Sequence, residues 1–565
     1  MVRGTWWVVL CAGGPRPARK LGRLPTPRPC EYQKRAPGLI YNGAKAVAKG
    51  RCSVDDHPLL LPLLDEALTR RGWLEPADVE AVAREARVPL ARAWEAVRFY
   101  PRYRTEPPEK RWLLVDDPVA RARDFSALLV ELEAAGAQAG VHVGTLPSLG
   151  LEAVGPALVV EEGAYGRVFA PVQVADLRAL AVGKLPPHER ETLPAELARN
   201  DGVLFGDPDP PPDFPGSDAI VDAVRAADLR GMGGALFPTW RKLEAVRAQA
   251  SEVKYVVVNG DESEPGNFKD RWLMEHNPRL VWAGAALAAR AVGARTIYFY
   301  VRGEYTAALE RVESARTDLE RAGYFDALAT HTFRGGGLYI CGEESALLES
   351  LEGRRAEPRL KPPYPAESGL FGRPTLVSNV ETLAHLAWIA AHGAEAYRER
   401  RPKLLSISGD VERPGVYELA LGTPLAEALE AAGGRPDELQ AVLMGGAAGT
   451  FLKLPDASEL PLDFEVPRLS GDSVGPGALM AFDRTRDLWA VVEGVSAFFA
   501  HESCGKCFPC SLGTPHLHAA VMQRERGPEL EELFLALEEG SLCGLGQAAP
   551  WAVRSLLRRF EGVVR

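Results

Sequence analysis

Three cysteines crowd one short loop near the end of the chain, Cys504, Cys507 and Cys510 in Glu-Ser-Cys-Gly-Lys-Cys-Phe-Pro-Cys, and Cys543 follows downstream. The Cys-x2-Cys-x2-Cys spacing folds three thiolates towards one point, and a cubane iron–sulfur cluster needs three such corners plus one from elsewhere. Structural zinc sites more often use two separated Cys-x2-Cys knuckles, and a set of reduced structural thiols is the remaining alternative. The pattern favours a 4Fe-4S cluster with these four ligands, and hence one-electron transfer. The chain holds eight cysteines, so half of them fall in this pattern. The others, Cys11, Cys30, Cys52 and Cys341, show no framework spacing. Thiolate clusters need a reducing compartment, which predicts a cytoplasmic protein.

Upstream, three glycine-rich or acidic motifs could hold a flat or phosphorylated cofactor. The first runs from Arg230 through Gly231, Gly233, Gly234 and Phe237 to Thr239. Densely packed glycines let the backbone approach a ligand and point N–H groups at phosphate or a ring. No Gly-Lys-Ser/Thr ending follows, so this is not a P-loop, and a plain turn is the alternative. The second, Asn259-Gly260-Asp261-Glu262-Ser263-Glu264-Pro265-Gly266, follows an apolar run and so stands at a strand's carboxyl end, where open α/β sheets bind ligands. Its alternative is an acidic surface turn. The third spans Gly335 to Ser345, with Tyr339, Gly342, Glu343 and Glu344, and precedes Arg359-Leu360-Lys361-Pro362-Pro363-Tyr364. Cys341 within it has no partner nearby in sequence and reads as a packed thiol. Three such motifs upstream of a thiolate cluster suggest a flavin and nicotinamide site feeding an iron–sulfur centre.

The elements that must position these residues follow from periodicity and composition. A length of 565 residues predicts roughly three or four domains. A net charge of −10 argues against general nucleic-acid binding, and no apolar run reaches the roughly 20 residues that span a bilayer. Residues 1–57 are a basic extension: the first 54 carry Glu31 as their one acid, and they are rich in Pro, Gly and Arg. Leu60, Leu63, Leu64 and Leu68 begin a helical unit over 58–104. Residues 105–185 alternate strand and helix in an order that suits a thioredoxin-like sheet: strand 112–115, helix 118–135, strands 157–160 and 167–170, helix 171–182. A Pro-rich linker covers 186–215. The largest α/β block is 216–402, a strand-rich β-grasp-like module occupies 403–488, and a helical bundle holds the cysteines over 489–565.

On these motifs the chain closely resembles the flavin-carrying, NADH-oxidising subunits of respiratory complex I and related enzymes. Those relatives include diaphorase subunits of NAD-reducing hydrogenases and beta subunits of NAD-dependent formate dehydrogenases. The resemblance runs from about 216 to 560 and includes Asn379-Val380-Glu381-Thr382. It implies a Rossmann-like FMN/NAD domain over 216–402, with FMN contacts at Gly231, Gly233, Gly234, Lys242, Asn259, Asp261, Glu262, Ser263, Tyr339, Gly342, Glu343, Ser378, Asn379 and Thr382. It places NAD(H) over the flavin near Phe237, Glu264, Glu344 and Tyr364. Met232, Leu236 and Trp240 stand where the pattern usually has Arg, Gly and Gly, and Ser378 where it has Asn.

The N-terminal part resembles the thioredoxin-like partner subunit of the same complexes, fused ahead of the flavin module. Its ligand stretches read Val115-Asp116-Asp117-Pro118 and Leu146-Pro147-Ser148-Leu149-Gly150-Leu151, and no cysteine lies between Cys52 and Cys341. Its 2Fe-2S cluster is therefore expected to be missing. The fusion resembles the soluble relatives rather than respiratory complex I, and the tail from Cys543 to Pro550 and the Leu460–Phe464 stretch resemble the formate dehydrogenase beta subunits most. The resemblance implies an enzyme subunit that exchanges hydride between NAD(H) and FMN and single electrons with the cluster. Its partners are expected to be the catalytic and iron–sulfur subunits of a multi-subunit oxidoreductase. The alternatives are the same role in an NAD-reducing hydrogenase or complex I, and, from other classes, a scaffold or relay subunit without flavin or a zinc-bearing assembly factor.

Overall fold

Leucine and alanine spacing places three amphipathic helices at the start of the described chain: Leu60–Thr69, Pro76–Glu85 and Leu90–Phe99. Pro76 sits at the first turn of the second helix, where its missing N–H leaves nothing unpaired. The computed structural model describes residues 53–54, 57–162, 165–200, 202–206, 216–325, 327–463 and 472–560. Apart from 53–54 and 57, the basic extension expected over 1–57 lies outside them, as do 207–215 of the Pro-rich linker and Phe464. The described residues belong to one compact unit.

The next module is a four-stranded mixed sheet in the order His142–Pro147, Arg111–Asp116, Leu158–Glu162, Tyr165–Phe169. The first pair is parallel and the other two are antiparallel. The helix expected over 118–135 is two helices, Pro118–Arg123 and Phe125–Ala139, divided at Asp124 with φ −136°. His142–Pro147 is a strand that the periodicity does not signal, because it is an edge strand whose residues are half-exposed or exposed throughout. The Pro-rich segment binds back onto other modules. Leu193, Leu197 and Leu204 are buried, and Asn200 Nδ2 donates to Glu418 O at 2.6 Å.

The large α/β block carries a parallel sheet in the order Thr375–Asn379, Tyr255–Gly260, Thr296–Val301, Ala329–Arg334. Its central strands read as continuous apolar runs, as strands covered by helices on both faces must. Pro278–Val292 and Val380–His392 pack so closely beside it that a Cβ on Gly284 would overlap the Leu383 carbonyl. A five-stranded sheet follows, ordered Gly415–Ala420, Pro402–Gly409, Ala478–Asp483, Leu439–Met444, Thr450–Lys453, with the Leu425–Ala431 helix. The C-terminal helices are Leu488–Glu502, Phe508–Met522, Pro528–Gly540, Gly544–Ala548 and Trp551–Arg559. Among the described residues no helix is long and apolar enough to cross a membrane.

Candidate functional site

The carboxyl ends of two neighbouring parallel strands make the floor of the site. Asn259 pairs opposite Asn379 in register, and Ser378 pairs opposite Val258. The Asn379 side-chain oxygen accepts from Thr382 N at 3.3 Å and caps the Val380–His392 helix; its Nδ2 donates to Asp270 Oδ2 at 2.6 Å. The glycine loop folds over this floor. Gly231 N donates to Phe237 O at 2.9 Å, and Met232 N donates to Thr382 Oγ1 at 2.8 Å. A Cβ on Gly233 would stand 3.2 Å from Asn379 Cβ, a tight contact that would push loop and floor apart by a few tenths of an ångström. Leu236 holds φ +55°, in the left-handed region. A non-glycine residue there costs about 1 kcal/mol, and this is one of the positions where the resembled pattern has glycine.

The acidic turn supplies the wall. Asn259 Nδ2 donates to Gly342 O at 2.8 Å and its Oδ1 accepts from Asp261 N at 3.1 Å. The Ser263 hydroxyl donates to Asp261 Oδ1, while Asp261 Oδ2 is buried without a partner among the described residues. Burial pushes the Asp261 carboxyl up to about 7, against the pull of Ser263 and Arg302. Glu262 is spent on the backbone instead. Its two oxygens accept from Asp270 N at 2.9 Å and Arg271 N at 2.7 Å, at the start of the Lys269–His276 helix. Burial and then the Asp270 charge push it up to about 8. Glu264 accepts from Tyr339 Oη at 2.6 Å and Ala448 N at 2.8 Å, and burial raises it to about 7.

The third motif is a charged rim. Glu343 caps the Glu344–Leu351 helix through Ser345 N and Ala346 N and meets Lys361 at 2.9 Å. Glu344 lies between Lys242 at 2.9 Å and Lys361 at 3.0 Å. Burial alone would raise Glu344, but the two lysines outweigh it and hold the carboxyl at about 2. Phe237 and Tyr364 are 50% and 55% exposed. Beside the loop a groove of about 520 Å³ is lined by Arg230, Leu236, Phe237, Trp240 and Arg241, among others. Of the three unusual loop positions, Leu236 and Trp240 thus line one groove and Met232 is buried.

Behind the floor lies a buried ion network of which the sequence motifs contain only Glu381. Lys269 Nζ meets Asp270 at 2.7 Å and Glu381 at 3.0 Å, and Lys403 Nζ meets Glu381 at 2.7 Å. Lys403 also donates to Pro476 O at 2.9 Å, and Pro476 borders Gly234. Burial lowers Lys403 to about 8 despite Glu381. Only the long-range fold brings residues 269, 381 and 403 together, so no local spacing could reveal them.

Cys504 lies on the turn between the Leu488–Glu502 and Phe508–Met522 helices, Cys507 stands at the N-cap of the second and Cys510 in its first turn, and Cys543 precedes the Gly544–Ala548 helix. Cys504, Cys507, Cys510 and Cys543 are all free thiols and pack against one core cluster. Cys504 interacts electrostatically with Cys507 and with Cys543, and Cys510 interacts with both Cys504 and Cys507. Burial pushes Cys510 up to about 11 and Cys543 up to about 12, a penalty that iron would reverse by taking the thiolates as ligands. Among the described residues no three His, Cys, Asp or Glu side chains gather closely enough to share a single ion. Thiolates at this spacing suit the corners of a 4Fe-4S cluster. Tyr339 links the two regions: its N donates to Glu502 Oε2 at 2.9 Å, and its ring meets Phe498 edge-on at 5.0 Å. The glycine cradle and the unpartnered Asp261 oxygen fit a flavin mononucleotide, which needs open backbone for its phosphate and acceptors for its hydroxyls.

The N-terminal stretches that lack cysteine are structural instead. Asp117 Oδ1 accepts from Val119 N and Ala120 N, both at 2.9 Å. Arg302 Nη2 donates to Ser148 O at 2.7 Å, Arg271 Nη1 to Leu149 O at 2.9 Å, and Gly266 N to Glu152 Oε1 at 2.9 Å. These bonds dock the thioredoxin-like module directly behind the acidic turn.

The Nuo51 FMN-binding domain matches residues 224–388. The NADH-ubiquinone oxidoreductase-F iron-sulfur binding region matches 490–565, an SLBB domain 404–447 and a thioredoxin-like [2Fe-2S] ferredoxin 46–170. An NADH-quinone oxidoreductase F subunit of Rhizobium meliloti (strain 1021) is 39% identical over 61% of this chain and 87% of its own length. The corresponding F subunit of Rickettsia bellii (strain OSU 85-389) is 35% identical over 62% and 90%. The crystal structure of an NAD+-reducing [NiFe]-hydrogenase in the air-oxidized state aligns with a TM-score of 0.79 and 34% identity, covering 89% of this chain and 92% of that one. The chain belongs to the family of NADH-quinone oxidoreductase F subunits, NADH-dehydrogenase-type oxidoreductase subunits with an FMN-binding domain and a 4Fe-4S region.

Proposed function

We propose that this chain is the diaphorase subunit of an NAD-dependent formate dehydrogenase, working in the cytoplasm with a separate catalytic subunit. The observation that carries the diaphorase reading is the convergence of the glycine loop, the Asn259–Glu264 turn and Asn379 at one sheet edge, joined by Tyr339 to the cysteine-bearing helices. Bound FMN supplies the exchange between hydride from NAD(H) and single electrons for the cluster.

The roles of the side chains follow from their bonding. Gly231, Gly233 and Gly234 leave the backbone open to the flavin. Asp261 offers its unpartnered oxygen to a hydroxyl of the cofactor. Asn259, Ser263, Gly342, Ser378, Asn379 and Thr382 hold the floor and wall in register, while Glu262 fixes the helix behind the turn and leaves ligand contact to its neighbours. Lys242 and Glu344 define one rim with Glu343, and Phe237, Tyr364 and Glu264 border the dinucleotide. Cys504, Cys507, Cys510 and Cys543 hold the cluster. Hydride transfer needs no proton from a protein acid in this arrangement.

The formate branch is supported by the resemblance of the tail from Cys543 to Pro550 and of the Leu460–Phe464 stretch to formate dehydrogenase beta subunits. A nickel-hydrogenase partner is the second reading, favoured by the aligned hydrogenase structure covering 89% of the chain. Purifying the native complex and supplying formate or hydrogen with NAD+ distinguishes them. Formate-driven NADH formation supports the first assignment, and hydrogen-driven formation without formate activity overturns it.

A further inference from the structure

We propose that Ser503 is a positioning residue that sets the reduction potential of the cluster through Cys510. The inference rests on the reading that Cys510 is a cluster ligand. Ser503 Oγ lies 3.3 Å from Cys510 Sγ, within hydrogen-bonding reach for sulfur. Cys510 is 5% exposed, so water competes little for that sulfur. In the free thiol either atom could donate. A cysteine bound to iron has lost its S–H, so its sulfur only accepts and the Ser503 hydroxyl must be the donor.

The pair is held on both sides. Ser503 caps the Leu488–Glu502 helix with φ −60° and ψ 122°, turning the chain into the cysteine loop. Its neighbour Glu502 is pinned by Tyr339 N at 2.9 Å. On the other side Thr514 Oγ1 donates to Cys510 O at 2.8 Å, and a Cβ on Gly546 would stand 2.9 Å from Cys510 Cβ. These contacts hold the two backbone segments from which the hydroxyl and the sulfur meet. Backbone N–H groups serve two other thiols, with Lys506 donating to Cys504, and Leu545 and Gly546 to Cys543. Cys510 is thus the ligand that a single side-chain substitution can address.

A hydrogen bond to a ligating sulfur withdraws charge and favours the reduced, more negative state of an iron–sulfur cluster. On reduction one electron enters, no bond forms or breaks, and the hydroxyl keeps its proton. The potential moves by the difference between the bond's strength to the reduced and to the oxidised cluster, and a tenfold difference is about 59 mV for a one-electron couple.

The test is an anaerobic redox titration of the full chain followed by electron paramagnetic resonance, with iron and sulfide counted in each sample. Ser503→Ala is expected to keep its iron and to lower the midpoint potential by about 59 mV, while Ser503→Thr, which retains the hydroxyl, stays close to the parent. An Ala variant with full iron and an unchanged potential overturns the proposal. If the Ala variant fails to load, Ser503→Val is compared with the isosteric Ser503→Thr. Equal potentials overturn the proposal, and loading by the Thr variant alone overturns it in favour of an assembly role. A parent chain without iron or sulfide would instead refute the ligand assignment itself.

Discussion

At the level of single residues, the site separates carboxylates that hold structure from one that is left available. Glu262 and Glu343 are consumed by backbone N–H groups at helix starts, whereas Asp261 keeps one buried oxygen unpartnered. Sequence spacing shows all three as acids in motifs and cannot tell a cap from a ligand, because that depends on which helix begins nearby. A pH dependence follows. Asp261, Glu262 and Glu264 have folded values raised to about 7, 8 and 7, above the roughly 4 of an unfolded carboxyl. The folded chain then binds more protons than the unfolded one between about pH 4 and 8, so stability falls as pH rises through that window. Glu344, held at about 2, acts in the opposite sense: its contribution is present above about pH 4 and is lost as pH falls towards 2. The melting temperature of the flavin-free chain is expected to decline from about pH 5 to pH 8, with Asp261→Asn flattening the decline; an unchanged slope would remove Asp261 as a source. For the cysteines, Cys507→Ser is expected to abolish the cluster's signal and leave FMN bound, as read by iron analysis and flavin absorbance. A cluster of normal intensity in that variant would mean that Cys507 is not a ligand.

Among the elements, what holds the flavin-site floor is an ion network spanning two modules. The Pro402–Gly409 strand brings Lys403, the Val380–His392 helix brings Glu381, and the Lys269–His276 helix brings Lys269 and Asp270. Asp270 then holds Asn379. Removing one partner from a buried pair costs about 3 kcal/mol because the other charge is stranded. Lys403→Met is expected to lower unfolding stability by about that amount and to weaken FMN binding through Asn379. Arg178→Ala, which breaks the exposed pair with Glu131, should change stability by at most about 0.5 kcal/mol. Equal losses in the two variants, measured by denaturant titration, would show that the network adds nothing beyond a surface pair. The elements themselves are unevenly legible in the sequence. The apolar runs at 255–259 and 296–301 announce the parallel strands, since buried strands need continuous hydrophobic residues. The His142–Pro147 strand is silent because an exposed edge carries no such signature, and the break at Asp124 hides inside an otherwise periodic run.

Over the whole molecule, three glycine and acid motifs spread across 230–382 meet at one sheet edge, and the chain then leads through Tyr339 and Glu502 to the cysteine loop. The thioredoxin-like module lies against the same acidic turn through Arg302, Arg271 and Glu152. With no cysteine between Cys52 and Cys341, it is expected to brace the flavin module without carrying iron. Purified chain should accordingly contain about four iron atoms rather than about six, the sum of a 4Fe-4S and a 2Fe-2S cluster. Electron flow from NADH through FMN to one cluster is tested most directly by anaerobic titration of the purified chain with NADH, monitoring flavin absorbance and the paramagnetic signal of the cluster together. NADH is expected to bleach bound FMN, with a single 4Fe-4S centre accepting electrons from it. A chain that carries no flavin, or whose flavin is untouched by NADH, would contradict that route.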